Sequence, residues 1–503
     1  MPGTGGVVHW AALDLGSNSF HLLLVRREGD GFVVVERLKE KVQLLAGFDG
    51  GALQPGAHSR GTACLRRFAQ RLASLHPDRI VAMGTYALRQ ASDAGAMVAA
   101  HQRVVGAPLE IISGEREAEL VYRAVDYYAG QSGLSRLVLD IGGGSTELAV
   151  GSGPQPVAVT SVALGCVALK DRCFAGPRTL PGDYARAKAA AVMALHDALA
   201  DSNLQSAGKP AAVFGTSGTV QSVLTVLRAN GLAWDSITRD GLAELEAGLL
   251  DGRWVLHAGL PGLAPDRVDI FPPGLAVLAA CMEVLDLPEV RYVDVSLLHG
   301  MVCEALAKET ALPNEDLKST SVLALADRFG VDRAHARRVQ RCAAGLFDAV
   351  QQAWDLEPEL AQLLGFAAQL HELGTAVNAR HYHRHGGYVV KHADLAGFGA
   401  DEQGVLALLI RGHRRSLPVL AFSAYDPEQG TRLLKLVALL RIAVILERSH
   451  SDAHSPVVGC TANATTLRLQ LGDAWLQAHP LSARELEVEV GQLAGAGLTL
   501  TFG

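Results

Sequence analysis

Two segments of this 503-residue chain are written on one plan. ALDLGSNSFHLLLV, starting at Ala12, and VLDIGGGSTELAV, starting at Val138, each run apolar strand, aspartate, glycine and hydroxyl turn, apolar strand. Glycines let backbone N–H groups crowd around an anion, and hydroxyls add donors. Ser17, Asn18 and Ser19 stand in the first turn, and Gly142, Gly143, Gly144 and Ser145 in the second. Asp14 and Asp140 fall at the strand ends, where carboxylates suit a hydrated Mg2+. A third turn, GTSGT at 215–219, contributes Thr216, Ser217 and Gly218. Together these residues point to phosphate chemistry assisted by a divalent cation. A strand follows each of the first two turns, which excludes a Walker A loop and a dinucleotide fingerprint, since both need a helix there.

These turns must be carried by strands. The first third of the chain alternates strand and helix signals: a hairpin through residues 12–25, strands in FVVVERL and KVQLL, and an amphipathic helix over 56–75. RIVAMGT is a buried strand leading to a helix from about Ala87, and LEIISG feeds a helix starting near Glu115. The second block repeats the pattern, with a helix over 183–201, a strand in AAVFGTSGT and a helix in FPPGLAVLAACMEVL. A plan repeated in successive blocks implies two similar α/β lobes with a cleft between them. The polar, proline-containing ETALPNEDLKSTS marks a boundary; residues 322–448 read almost wholly as helix, and the tail as strand, short helix, strand.

Bulk composition sets limits. The length exceeds one hydrophobic core and predicts about three or four domains. The boundaries read as 1–129 and 130–309 for the lobes, 316–449 for the helical part and 455–503 for the tail. A formal net charge of −7 gives no global pull on nucleic acid or any other polyanion, so an anion site needs local Arg, Lys and His. Seven scattered cysteines without a CxxC pair argue against a zinc site or disulfide framework and for a reducing, cytoplasmic setting. The start, MPGTGGVVHW, lacks the pattern of a signal peptide. LLKLVALLRIAVIL carries Lys435 and Arg441 and is short for a membrane span, so it reads as a buried helix; peripheral membrane association is left open.

The motifs resemble those of the exopolyphosphatase and guanosine pentaphosphate phosphohydrolase family, within the superfamily of acetate and sugar kinases and actin. They are DLGSNSFH (14–21), GTYALRQA (84–91), IISGEREAEL (111–120), DIGGGSTEL (140–148) and GTSGT (215–219), with LHELG (370–374), HRHGGY (383–388) and RGHRR (411–415) in the helical half. The resemblance implies an α/β fold of two actin-like (RNase H-like) lobes, then an all-helical HD-like domain and a small α/β C-terminal domain. It implies a hydrolase of phosphoric anhydrides, a homodimer, and Mg2+ as cofactor with K+ as a candidate second ion. Glu117 takes the family's general-base position, with Glu115 its local rival. Asp14, Asp140 and Glu147 become the metal-side carboxylates, and Arg89 the neutraliser of phosphoryl charge. GGGS in the second loop and the His- and Arg-rich HRHGGY and RGHRR favour inorganic polyphosphate as substrate over guanosine pentaphosphate. A kinase of the same superfamily and a non-catalytic polyphosphate or alarmone sensor are the other classes.

The helical half departs from a working HD site, which needs a His-Asp pair where this chain has His371–Glu372. His381, His383 and His385 alternate with arginine and tyrosine, which suits an anion-binding face better than a metal. Arg384, His385, Arg414 and Arg415 are expected to form a polyphosphate track. At VDVSLLHG (293–300) the family pattern is closer to SDGALREG, so Val295, Leu298 and His299 replace Gly, Arg and Glu. The turn and any substrate contact there are left open.

Overall fold

The computed structural model describes residues 8–28, 31–46, 48, 51–129, 134–174, 181–251, 253, 259–309, 317–393, 395, 397–450 and 457–503. The expected boundary segments at 130 and 310–315, and the chain start, lie outside the described residues. The chain forms two compact units, Met1–Asn314 and Glu315–Gly503.

Unit 1 holds two sheets. The first comprises β1 (His9–Leu15), β2 (Ser19–Glu28), β3 (Gly31–Lys41), β4 (Arg79–Gly84) and β5 (Leu109–Ile111), in the order β3-β2-β1-β4-β5. β1 and β2 form the expected hairpin, with Asp14 opposite His21, and β4 lies parallel to β1. KVQLL is not a separate strand: only Lys41 belongs to β3, and the chain then turns away. The second sheet comprises β6 (Arg136–Ile141), β7 (Thr146–Gly151), β8 (Ala158–Val162), β9 (Ala212–Thr216), β10 (Ser236–Thr238) and β11 (Glu289–Tyr292). Its order is β10-β11-β9-β6-β7-β8. Apart from edge strand β10, this is the first sheet again, with β6, β7, β8, β9 and β11 in the places of β1 to β5. The internal repeat is therefore a repeat of topology, and it makes the two actin-like lobes.

Each lobe has its own apolar core, built on strands such as LVLDI whose residues are buried on both faces. Helix Gly114–Ala129 follows β5, and helix Leu297–Glu309 closes the second lobe by packing back along it and against β1. They cross so closely that a Cβ on Gly300 would stand 2.0 Å from the carbonyl oxygen of Leu120.

Unit 2 packs its helices around Pro427–Leu446, the LLKLVALLRIAVIL segment, which is buried along most of its length. Its two buried cations are satisfied inside: Lys435 Nζ donates to the Trp354 carbonyl at 3.3 Å, and Arg441 forks onto the buried Glu489 at 2.5 and 2.7 Å. Among the described residues no helix is long and apolar enough to cross a membrane. The tail forms a small sheet of β12 (Val457–Ala462), β13 (Thr466–Leu471) and β14 (Thr499–Phe502), with helix Pro480–Ala494 between β13 and β14. Leu467, Leu469, Leu486 and Leu500 join the same core as the helices, since so short a segment cannot bury a core of its own.

The Gly300 crossing yields a test. Gly300→Ala should lower the stability of the chain by about 1–3 kcal/mol or more, because the opposing atom is backbone and cannot rotate aside. A denaturant series should show the midpoint falling; an unchanged midpoint would mean the helices separate without cost.

Candidate functional site

The three turns meet in one cleft of unit 1, about 860 Å3 in volume with the solvent at its mouth. In the first turn the carbonyl of Ser17 accepts from Leu44 N at 2.8 Å, and that of Asn18 from Val42 N and Gln43 N at 3.0 and 2.8 Å. In the second, Gly142 O accepts from Cys166 N at 3.0 Å, and Gly143 O from Val167 N and Ala168 N at 2.8 and 3.0 Å. Both turns are thus held by their carbonyls to the chain behind them; Gly142 N is taken by Ser145 O at 2.9 Å inside its turn, and the other turn residues border the cleft. That polarity suits an anion. Gly144 meets the other lobe so closely that a Cβ would lie 2.2 Å from the Tyr86 ring, so no larger residue fits. At the third turn Ser217 adopts φ 79°, and Gly218 is covered by the Arg267 guanidinium.

Four carboxylates converge below these turns. Asp14 and Asp140 leave equivalent ends of β1 and β6 and line the cleft. Glu147 faces Asp140 across the β6–β7 ladder, is only 2% exposed and accepts from Ser161 Oγ at 2.9 Å. Glu117 enters from the first turn of Gly114–Ala129 and accepts from Arg89 Nη1 at 3.0 Å. Arg89 comes from the short helix Tyr86–Gln90 and is anchored by a second bond, to the Ile112 carbonyl at 2.9 Å. Glu115, the local rival, is exposed and does not line the cleft.

Crowding shows in the proton affinities. Burial pushes Glu117 up to about 8; Arg89 pulls it back and the charge of Asp14 pushes further. Asp140 is raised to about 6 by burial, with Thr216 opposing and Asp14 assisting. Glu147 is driven well up by burial, then by the charges of Glu117 and Asp140. Asp14 Oδ1 and Ser217 Oγ are buried with no protein partner. Hard oxygen donors with surplus negative charge and an orphaned carboxylate oxygen are of the type that suits Mg2+, an ion held through one or two carboxylates together with substrate phosphate. Among the described residues no three of these carboxylates bring one oxygen each within 4.8 Å of one another.

Three cleft residues escape a reading of the sequence. His21 stands with Nδ1 3.4 Å from Asp14 Oδ2, and Lys39 is its neighbour across the β2–β3 ladder. Arg267, in the turn Pro265–Arg267, lines the cleft from the second lobe. Lys39 has its pKa lowered by burial and then by Arg267. The strand alternation hints at the side of β3 on which Lys39 lies, but APDRVDI carries no signal that would pick out Arg267. The departure at VDVSLLHG is compensated: Ser296 N donates to His299 Nδ1 at 3.1 Å, the bond a glutamate would accept in a capping box. Ser296 and Leu297 line the cleft.

Arg384, His385, Arg414 and Arg415 lie in unit 2. Arg384, Arg414 and Arg415 sit close enough to His383 to lower its pKa to about 4, after burial, and Arg414 stacks 4.9 Å from the centre of the Tyr382 ring. Among the described residues none of the three arginines is ion-paired with a carboxylate.

A buried carboxylate whose pKa is raised by folding costs stability as pH rises from its ordinary value near 4.5 toward about 8, because only the unfolded chain ionises freely in that window. Glu117→Gln should therefore raise Tm at pH 8 in chelator-containing buffer, with the gain shrinking to nothing near pH 4. Parallel Tm profiles for the two proteins would mean that the carboxylate is fully compensated.

Comparison with known proteins agrees with this geometry. The Ppx/GppA phosphatase family matches residues 24–309, and domain III of that family matches 317–490. A protein of Vibrio cholerae serotype O1 named guanosine-5'-triphosphate,3'-diphosphate pyrophosphatase is 34% identical over 499 residues, 98% of each chain. An exopolyphosphatase from Cytophaga hutchinsonii shares the fold at 21% identity and TM-score 0.53, over 60% of this chain and 98% of that one. An Aquifex aeolicus member of the Ppx/GppA family does so at 20% identity and TM-score 0.50, over 61% and 99%. With its twin phosphate turns, buried carboxylates and full-length match, the chain belongs to the Ppx/GppA phosphatase family and hydrolyses phosphoanhydride bonds.

Proposed function

We propose that the chain removes the terminal 5'-phosphate of guanosine 5'-triphosphate 3'-diphosphate. The observation that carries this is the 34% identity, over 98% of both chains, to a protein named for that substrate. It outweighs the three local details that favour inorganic polyphosphate. Polyphosphate stays as the second reading, supported by the group of arginines in unit 2, which would hold a polyanion as the expected track.

In this reading the amide edges of the turns at 16–18 and 143–145, with Ser17, Asn18, Ser19, Ser145, Thr216, Ser217 and Gly218, hold the phosphate oxygens. Water attacks the terminal phosphorus and gives its proton to Glu117, the bond to the bridging oxygen breaks, and orthophosphate departs. A carboxylate with a raised proton affinity is a stronger base near neutral pH. The Arg89 bond orients Glu117 and places a cation beside the transferring group. Asp14, Asp140 and Glu147 would hold Mg2+, which neutralises phosphate charge when bound. Lys39 and Arg267 add positive charge at the cleft. Positioning and electrostatics suffice, with no protein nucleophile.

Side-by-side turnover on guanosine pentaphosphate and long-chain polyphosphate decides between the readings. The pentaphosphate should show the higher kcat/KM; a clear preference for polyphosphate reverses the assignment. Chelation should abolish release of orthophosphate on either substrate, and a rate that survives it removes the metal role from Asp14, Asp140 and Glu147.

Glu117→Ala should lower kcat by about 10²–10⁴-fold, while substrate binding stays intact or tightens with one negative charge gone. A normal kcat with a raised KM would move the base elsewhere.

A further inference from the structure

We propose that unit 2 binds one divalent transition-metal ion through His335, His371 and Glu372. Helix Arg333–Trp354 is followed after a short connection by helix Glu359–Leu370, and the two pack together. The first turn of one therefore comes beside the last turn of the other. His335 lies in that first turn, fixed by Asp332, which caps the helix by accepting from the amides of Ala334 and His335. His371 ends the second helix, with Glu372 next. One ligand atom from each of the three lies within 4.8 Å of the other two.

The chemistry of these atoms favours a cation. His371 Nδ1 is 2.8 Å from the Ala368 carbonyl, which can only accept, so Nδ1 carries the proton and Nε2 presents a bare lone pair. That Nε2 is fully buried and has no protein partner, and the same holds for His335 Nδ1. Fixing one imidazole nitrogen on a backbone carbonyl is how proteins orient the other toward a metal. A water molecule offers two protons and cannot satisfy two imidazoles and a carboxylate at once if all three accept; a cation can. His450 stacks on His335 at 3.5 Å between ring centres and brings Nε2 to 4.0 Å from Glu372, covering one side.

Two imidazoles and one carboxylate suit Zn2+, Co2+, Mn2+ or Fe2+ rather than the Mg2+ suited to the all-oxygen set of unit 1. Three protein ligands leave positions for water or an anion. Ligands bound at about 2.1 Å stand roughly 3.4 Å apart in a tetrahedron, so modest side-chain rotation closes the site. The group excludes His381, His383 and His385.

The test is titration of tag-free full-length protein with Co2+ and Zn2+ in excess Mg2+, read by Co2+ visible absorption and by Tm. One equivalent of Co2+ should give the bands of a bound ion, Zn2+ should displace it, and Tm should rise. His335→Ala and the near-isosteric Glu372→Gln should each weaken binding by more than the 10–100-fold typical of lost outer-shell partners, with helicity unchanged. Asp140→Asn should leave binding intact. No bound Co2+ at one equivalent, equal affinity in both unit 2 variants, or loss only in Asp140→Asn overturns the proposal.

Discussion

Four acidic side chains from four elements are crowded at one cleft in unit 1, and the surrounding architecture answers that constraint. Asp14, Glu117, Asp140 and Glu147 repel one another, and burial pushes Glu117, Asp140 and Glu147 toward protonation. Proteins keep such groupings where a cation is to be held or a proton moved. Around them stand Arg89 on Glu117, His21 on Asp14, and Lys39 and Arg267 at the cleft. The phosphate turns above them are stapled by their carbonyls, so their donors and not their acceptors are presented. Negative charge held inside and donors aimed outward give a site whose charge pattern suits a cation and an anion together.

The repeated strand order explains how two carboxylates arrive at one place. In each lobe the first strand carries an aspartate next to its last residue and the chain returns at once as a hairpin, so the turn lies at the same strand end. Facing copies bring Asp14 and Asp140 together without any long loop. Glu117 and Arg89 come from outside this repeat, from helices of the first lobe, and they are the groups that differ in role from the twin aspartates. Duplication supplies the symmetric part of the cleft, and the asymmetric helices supply the part that suits acid–base work.

Much of this was legible in the residues. The hairpins around Asp14 and Asp140 announce themselves because apolar runs flank glycine and hydroxyl turns, and helix 114–129 because its apolar stripe has helical spacing. The assignment of KVQLL as a strand failed since an apolar pair says nothing of whether a ladder partner exists. Arg267 was invisible, and Lys39 only hinted at by strand alternation, because their importance rests on contacts between segments far apart in the chain. The choice of Glu117 over Glu115 as base came from the family resemblance; in the structure Glu117 lines the cleft and Glu115 is exposed. The grouping of His335 with His371 was hidden for the same reason as Arg267: 35 residues lie between them, and only the packing of two helices brings them together. The reaction class was legible in the motifs; their few letters favour polyphosphate, whereas the full-length identity favours the pentaphosphate.

His299 has an electrostatic consequence. The glutamate of the family pattern would carry a full negative charge in the first turn of helix Leu297–Glu309, whose Ser296 and Leu297 border the cleft. The histidine accepts the same backbone bond, yet burial holds its pKa near 3, so it is uncharged at neutral pH. A helix start carries about half a unit of positive charge, which a carboxylate would cancel and an imidazole leaves in place. The substitution thus keeps the cap and removes one anion from the rim of a site whose substrates are themselves highly anionic.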